Sequence, residues 1–108
     1  MTAQTIDIGA AQRLINDGAI LVDVREPDEH ARERIHGARL IPLSRLSTSL
    51  ERHNGQPVVF HCRSGSRTAA AAEQLAAAAG GAAYIMRGGM EAWKAAGLPV
   101  LRACPETC

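Results

Sequence analysis

Blocks of apolar and polar residues follow one another along the chain with the spacing of short strands and helices taken in turn. Residues 5–8 predict a short strand, and a helix over about 10–17 follows, with Ala11, Leu14 and Ile15 at i, i+3, i+4 spacing and Gly18 closing it. The apolar run over residues 19–24 carries Asp23 near its end, the pattern of a strand buried on both faces. Residues 27–34 are polar and predict a short helix opened by Pro27. A third strand is expected at 39–41, stopped by Pro42. A helix is expected over 43–53, with Leu43, Leu46 and Leu50 on one face and Asn54-Gly55 as its ending turn. Residues 57–61 are a second buried run and the clearest strand. From Arg67 to Ala79 strong helix formers occupy nearly every position, and Gly80-Gly81 terminates them. A strand over 82–86, the break at Gly88-Gly89 and a helix over 90–96 capped by Gly97 complete the series. The tail from Leu101 to Cys108 has no period and reads as irregular.

Strand–helix alternation of this kind implies an α/β domain with a mainly parallel sheet and helices on both faces. The 108 residues suit a single domain spanning 1–108. Apolar residues make up 46% of the chain but aromatics only 3%, namely Phe60, Tyr84 and Trp93, so Ala, Leu, Ile and Val must fill most of the core. The net charge is +1 with both signs interspersed, which argues against a nucleic-acid partner. No stretch approaches the roughly 20 apolar residues of a membrane span. The N-terminal residues lack the basic and apolar regions of a secretory signal. Three cysteines without export features fit a free thiol in a reducing compartment, with a cytoplasmic location expected.

Candidate chemistry concentrates in Cys62-Arg63-Ser64-Gly65-Ser66-Arg67, between the best strand and the best helix. Ligands of open α/β sheets bind beyond the carboxyl ends of the strands, where this loop falls. A loop entering a helix points unpaired N–H groups at one spot, and Gly65 permits the dihedrals that curl them into an anion-binding nest. Those donors, with Arg63 and Arg67, favour a thiolate at Cys62, which is the nucleophilic form. The bland alternative is an inert buried cysteine at a strand end, but such a residue does not require basic neighbours or a turn glycine.

Four segments in order resemble the rhodanese-like sulfurtransferases. The loop is similar to that family's C-x-x-G-x-R. Leu21-Val22-Asp23-Val24-Arg25-Glu26-Pro27 resembles its D-x-R-E segment, and Ile35-His36-Gly37-Ala38-Arg39-Leu40-Ile41-Pro42 its G-H-I-P-G-A-x-N-I-P segment. Gly88-Gly89-Met90-Glu91-Ala92-Trp93 and Gly97-Leu98-Pro99-Val100 resemble its closing G-G-x-x-x-W and G-x-P signature. Two places depart from the pattern: Glu33-Arg34-Ile35-His36 stands where the family has G-H-I-P, and Leu40 where Asn is usual. The resemblance implies a doubly wound domain with a five-stranded, mostly parallel sheet. It implies a sulfurtransferase with thiosulfate or a persulfide as donor, cyanide or a thiol as acceptor, and no cofactor. Cys62 then carries the sulfur as a persulfide, the N–H groups of Arg63, Ser64, Gly65, Ser66 and Arg67 cradle it, and Arg67 closes the loop. Asp23 and Arg25 then support the site. Apart from the resemblance, the charge of Arg63 beside the reactive atom is expected to draw in the anionic donor, the plainer reading being a solvated loop arginine.

Other residues have plainer readings. Asp23, at the end of a buried strand, is expected to accept backbone N–H bonds. Arg25 and Glu29, four apart, could pair. His61 adjoins Cys62 but points to the opposite face of its strand, and His30, His36 and His53 fall in polar segments expected to be exposed, which leaves a Cys–His hydrolase without support. Neither C-x-x-C nor H-x-x-x-H occurs, so no metal site is expected. Trp93, Leu98 and Val100 read as core. Cys104 and Cys108 read as tail thiols, with a relay of sulfur from Cys62 as the sharper alternative. Competing functions are a phosphatase-like enzyme, whose C-x5-R loop is one residue longer than the spacing of Cys62 and Arg67, a non-catalytic binding module, and a sulfur carrier that serves a protein acceptor.

Overall fold

Alternation of side chains along three short apolar strands divides the core into two layers. On one face of the sheet lie Ile20, Val22, Val58, Phe60, Ala83 and Ile85, and on the other Leu21, Val59 and Met86. The computed structural model describes residues 3–45 and 56–102. In chain order the elements are β1 (Gln4–Ile6), α1 (Ile8–Asn16), β2 (Ile20–Asp23), α2 (Pro27–Arg32), β3 (Glu33–Arg34), β4 (Arg39–Leu40), a 3-10 turn at Leu43–Arg45, β5 (Val58–His61), α3 (Ser66–Ala70), α4 (Ala72–Ala79), β6 (Ala83–Met86), α5 (Gly89–Ala95) and β7 (Leu101–Arg102). Five strands form one sheet in the order β1-β6-β5-β2-β4, every neighbouring pair parallel. All residues of β2 and β5 are buried, as central strands covered on both faces must be.

Helices cover both faces. Leu75, Ala76 and Ala79 of α4 pack on the first layer. Ala11, Leu14 and Ile15 of α1, with Met90 and Trp93 of α5, pack on the second. Trp93 is anchored by its Nε1–H, which donates to the Pro99 carbonyl at 2.8 Å, and Leu98 and Val100 pack beside it. Asp7, expected inside a strand, instead accepts the Ala10 N–H at 2.7 Å and starts α1 two residues early.

Three expectations need correction. The helix expected over 67–79 is broken at Ala71, whose φ of −110° and ψ of 19° leave the helical region. The carbonyl of Ala72 beside the break is taken by the Ala3 N–H at 3.0 Å, a long-range contact that local propensity cannot register. Leu101–Arg102, read as irregular, is paired antiparallel with Glu33–Arg34, which also ends α2 sooner than expected. That ribbon is held by charge: Glu33 accepts from Lys94 Nζ at 2.9 Å and from Arg102 Nε at 2.8 Å. Of the helix expected over 43–53, residues 43–45 form a single 3-10 turn. Leu46, Leu50, His53 and Asn54-Gly55 lie outside the described residues, as do Cys104 and Cys108.

Candidate active site

Cys62 follows the last residue of β5, and its side chain continues the layer of Val58 and Phe60. The chain then turns through Gly65, which sits at φ 97° as the residue before α3. This turn brings the Gly65 N–H to 3.0 Å from Cys62 Sγ. Thr68, one turn into α3, places its hydroxyl 3.6 Å from the sulfur and 3.0 Å from the Gly65 carbonyl, to which it can donate. Burial pushes the thiol pKa up, but the Thr68 N–H and hydroxyl, with the N–H groups of Gly65 and Arg67, outweigh it, so the thiol lies below its ordinary value. Because α3 is only five residues long, this stabilisation comes from individual N–H groups of one turn rather than from a long helix dipole. Thr68 escaped the sequence reading. A hydroxyl one turn inside the helix after a loop cysteine was its available signal.

The sulfur is covered: Cys62 has no exposed surface, while Arg63, Ser64 and Ser66 around it are exposed and Gly65 is half-buried. It nevertheless faces the amides and not the apolar interior alone. The outer side of the loop is tied to the start of α5, whose Met90 N–H donates to the Cys62 carbonyl and Glu91 N–H to the Arg63 carbonyl, both at 2.9 Å. Such close approach demands glycine. A Cβ on Gly89 would lie 2.3 Å from the Cys62 carbonyl oxygen, and one on Gly65 would lie 3.1 Å from the Gly88 nitrogen.

Arg67 does not turn into the loop. Its guanidinium makes a two-pronged pair with Glu29 of α2, at 2.8 and 3.0 Å, so it closes the loop by fastening it to α2. Glu29 also accepts the Glu26 N–H at 3.1 Å. The Arg67 bonds outweigh partial burial and bring the Glu29 carboxyl down to about 2 from 4.5. A carboxylate depressed on folding stabilises the native state above its unfolded pKa and stops doing so as pH falls through the folded value. Urea midpoints should therefore drop between about pH 4.5 and 2, and Glu29→Gln should flatten that part of the profile. Because the pair is partly exposed, the substitution should cost only about 1 kcal/mol near neutral pH. A Gln variant with the wild-type acid slope would contradict this assignment.

The expected Arg25–Glu29 pair does not form. Arg25 precedes the Glu26 cap of α2, so helical i, i+4 geometry does not apply to it. It folds back on Asp23 instead, donating its backbone N–H and Nε to Oδ1 at 2.9 Å and Nη2 to Oδ2 at 2.8 Å, with a further bond from Nη2 to the Glu33 carbonyl. His30 is half-buried, contrary to expectation, and donates Nδ1–H to Asp23 Oδ2 at 2.8 Å. Burial raises the Asp23 pKa, but the hydrogen bonds from Arg25 and His30 more than offset it, leaving a buried carboxylate held in its charged form. His36 is exposed, as its polar segment suggested.

Arg63 is exposed and lies 3.3 Å from the equally exposed Glu91. Ser64 and Ser66 meet through their hydroxyls at 3.2 Å. A cavity of about 390 Å³ opens beside the loop at the carboxyl ends of the strands, with Arg25, Arg63, Lys94, Glu29, Glu33 and Glu91 in its wall. The loop thus brings Cys62, Gly65, Arg67 and Thr68 onto one sulfur atom or its immediate frame, while Asp23 and Arg25 brace the segment that carries Glu29.

Comparison with known proteins points the same way. A rhodanese-like domain is matched over residues 7–96. An uncharacterised Synechocystis protein is 44% identical over 87 residues, 80% of this chain but 49% of that protein, so the chain spans about half its length. A thiosulfate sulfurtransferase of Vibrio cholerae is 33% identical over 88% of this chain and 92% of its own. The crystal structure of a Pseudomonas aeruginosa thiosulfate sulfurtransferase superposes with a TM-score of 0.80 at 29% identity, covering 93% of this chain and 19% of that one. Across fold, loop and motif order, the chain belongs to the rhodanese-like domain family.

Proposed function

We propose that this protein moves sulfane sulfur from thiosulfate or a persulfide to cyanide or a thiol, through a persulfide on Cys62. The observation that carries the reading is the Gly65 N–H at 3.0 Å from Cys62 Sγ, within a turn whose donors bring the thiol below its ordinary pKa. An anionic sulfur is the species such donors favour, whether as thiolate or as persulfide.

In the first half-reaction the Cys62 thiolate attacks the outer sulfur of thiosulfate. A bond forms between the two sulfurs, the bond inside thiosulfate breaks, and its electron pair leaves with sulfite. In the second, the acceptor attacks the outer persulfide sulfur, and the breaking sulfur–sulfur bond returns its pair to Cys62. No metal, cofactor or outside oxidant enters the balance. The N–H groups of Gly65, Arg67 and Thr68 hold the charge in both states, Arg63 attracts the anionic donor at the rim, and Arg67, Asp23 and Arg25 keep the loop in place. Because Cys62 is covered, entry of the donor requires the exposed rim of Arg63, Ser64 and Ser66 to shift. All these groups lie within residues 23–68, so one domain suffices. A free thiol of this kind suits the cytoplasm.

The two half-reactions can be separated in a test. Incubation with thiosulfate should add one sulfur atom to the intact mass, localised to Cys62, and cyanide should remove it as thiocyanate. Absence of the loaded form, with thiocyanate still produced, would show a direct transfer and sink the persulfide mechanism.

A further inference from the structure

His61 is buried to zero exposure beneath the loop, yet the chemistry above makes no use of it. Its Nδ1 lies 3.1 Å from the Cys62 carbonyl oxygen, and since a carbonyl only accepts, Nδ1 must carry the proton. Its Nε2 is the one buried side-chain nitrogen or oxygen without a partner among the described residues. Burying an imidazole with one nitrogen orphaned is unfavourable, and a phenylalanine in the same space would avoid that penalty. What the imidazole provides and phenylalanine would not is the donor on the Cys62 carbonyl.

That carbonyl is a control point of the loop. It also accepts the Met90 N–H at 2.9 Å, so two donors fix its direction. In a planar trans peptide the following N–H points opposite to the carbonyl, so the first amide of the loop is set with it. We propose that His61 is a positioning residue for sulfur transfer: its Nδ1–H locks the Cys62–Arg63 peptide so that the turn delivers its N–H groups to Cys62 Sγ. This inference deepens the sulfur-transfer reading and names a residue that acts through another.

The surroundings keep His61 neutral. Burial opposes its protonation most, Asp23 directly across in the β2–β5 register favours it, and Arg25 and His30 oppose it, with the net pKa below the ordinary value. Arg67 is the cation whose own pKa responds to the charge on Cys62. With His61 uncharged, a titration of Cys62 reports the turn and not a changing charge on His61.

The test is the pH dependence of Cys62 alkylation by iodoacetamide on the full chain, followed at Cys62 by peptide mass spectrometry. His61→Phe should move the midpoint up by about half to one pH unit and slow alkylation near neutrality about 3- to 10-fold. His61→Asn keeps a short amide donor and should recover to within about twofold of wild type. A Phe variant with the wild-type profile, or an Asn variant as slow as Phe, overturns the proposal. Should the Phe variant not fold, long-range proton–nitrogen spectra of the wild type decide: Nδ1 protonated with Nε2 bare supports it, and the opposite tautomer overturns it. Alkylation needs no sulfur donor, so this result stands apart from success or failure of the persulfide mass test.

Discussion

Cys62→Ser is expected to lower thiosulfate-to-cyanide transfer by at least about a thousandfold, to the level of solution chemistry. Serine is one atom different, and its hydroxyl could still accept the Gly65 N–H that now meets the sulfur at 3.0 Å. Folding and Tm should therefore stay near wild type. Reactivity should not, because donors that lower a thiol below its ordinary pKa still leave an alkyl hydroxyl fully protonated. The control runs in the other direction: in the wild type, transfer should rise with pH and level off below the ordinary thiol value, since the Cys62 pKa is lowered. Thiocyanate formation at the normal rate by the serine variant would remove Cys62 from the mechanism. Hydrolysis of an aryl phosphate by the wild type would favour the phosphatase-like alternative.

How much of this site could be read in advance depended on whether the responsible signal was local. The strands β2 and β5 were legible because burial on both faces writes a continuous apolar run. The loop was legible because a cysteine, a turn glycine and a helix start lie within five consecutive residues. The break at Ala71 was not, since every residue from Arg67 to Ala79 tolerates a helix and the interruption sits where the Ala3 N–H docks on the Ala72 carbonyl. The pairing of Leu101–Arg102 with Glu33–Arg34 was hidden for a similar reason: both segments are short and polar or exposed, and Glu33 joins them through charges more than sixty residues away in sequence.

Arginine partners were the least legible feature. Arg67 and Glu29 are 38 residues apart, and nothing in either neighbourhood announces the other. Once they are joined, the D-x-R-E segment and the cysteine loop become one unit. Asp23 holds Arg25 and His30, Arg25 holds the Glu33 carbonyl, and Glu29 between them holds Arg67. The buried carboxylate at Asp23 thus affects the loop through α2 without approaching the sulfur. His30, read as exposed from the polarity of α2, belongs to this unit because that short helix turns it towards Asp23.

Gly89→Ala should be the most damaging small substitution outside the cysteine, costing about 3–5 kcal/mol. The residue sits at φ 56°, where an L side chain is strained, and the added Cβ would lie 2.3 Å from the Cys62 carbonyl oxygen and 2.9 Å from that of Arg63. Both obstacles are backbone, so no side chain can swing aside to make room. Relief requires α5 to retreat, which lengthens the Met90 and Glu91 N–H bonds to those two carbonyls. The loop then loses its outer anchor, and the Gly65 N–H is no longer held against the sulfur. Urea denaturation should show the lost stability, and any folded fraction should alkylate at Cys62 more slowly near neutral pH than wild type. Gly81→Ala is the matched control, because a Cβ there meets nothing within 4 Å and needs no left-handed backbone. It should change stability by about 0.5 kcal/mol or less. If the two variants unfolded at the same urea concentration, the contact between α5 and the loop would not be the anchor that the active-site geometry depends on.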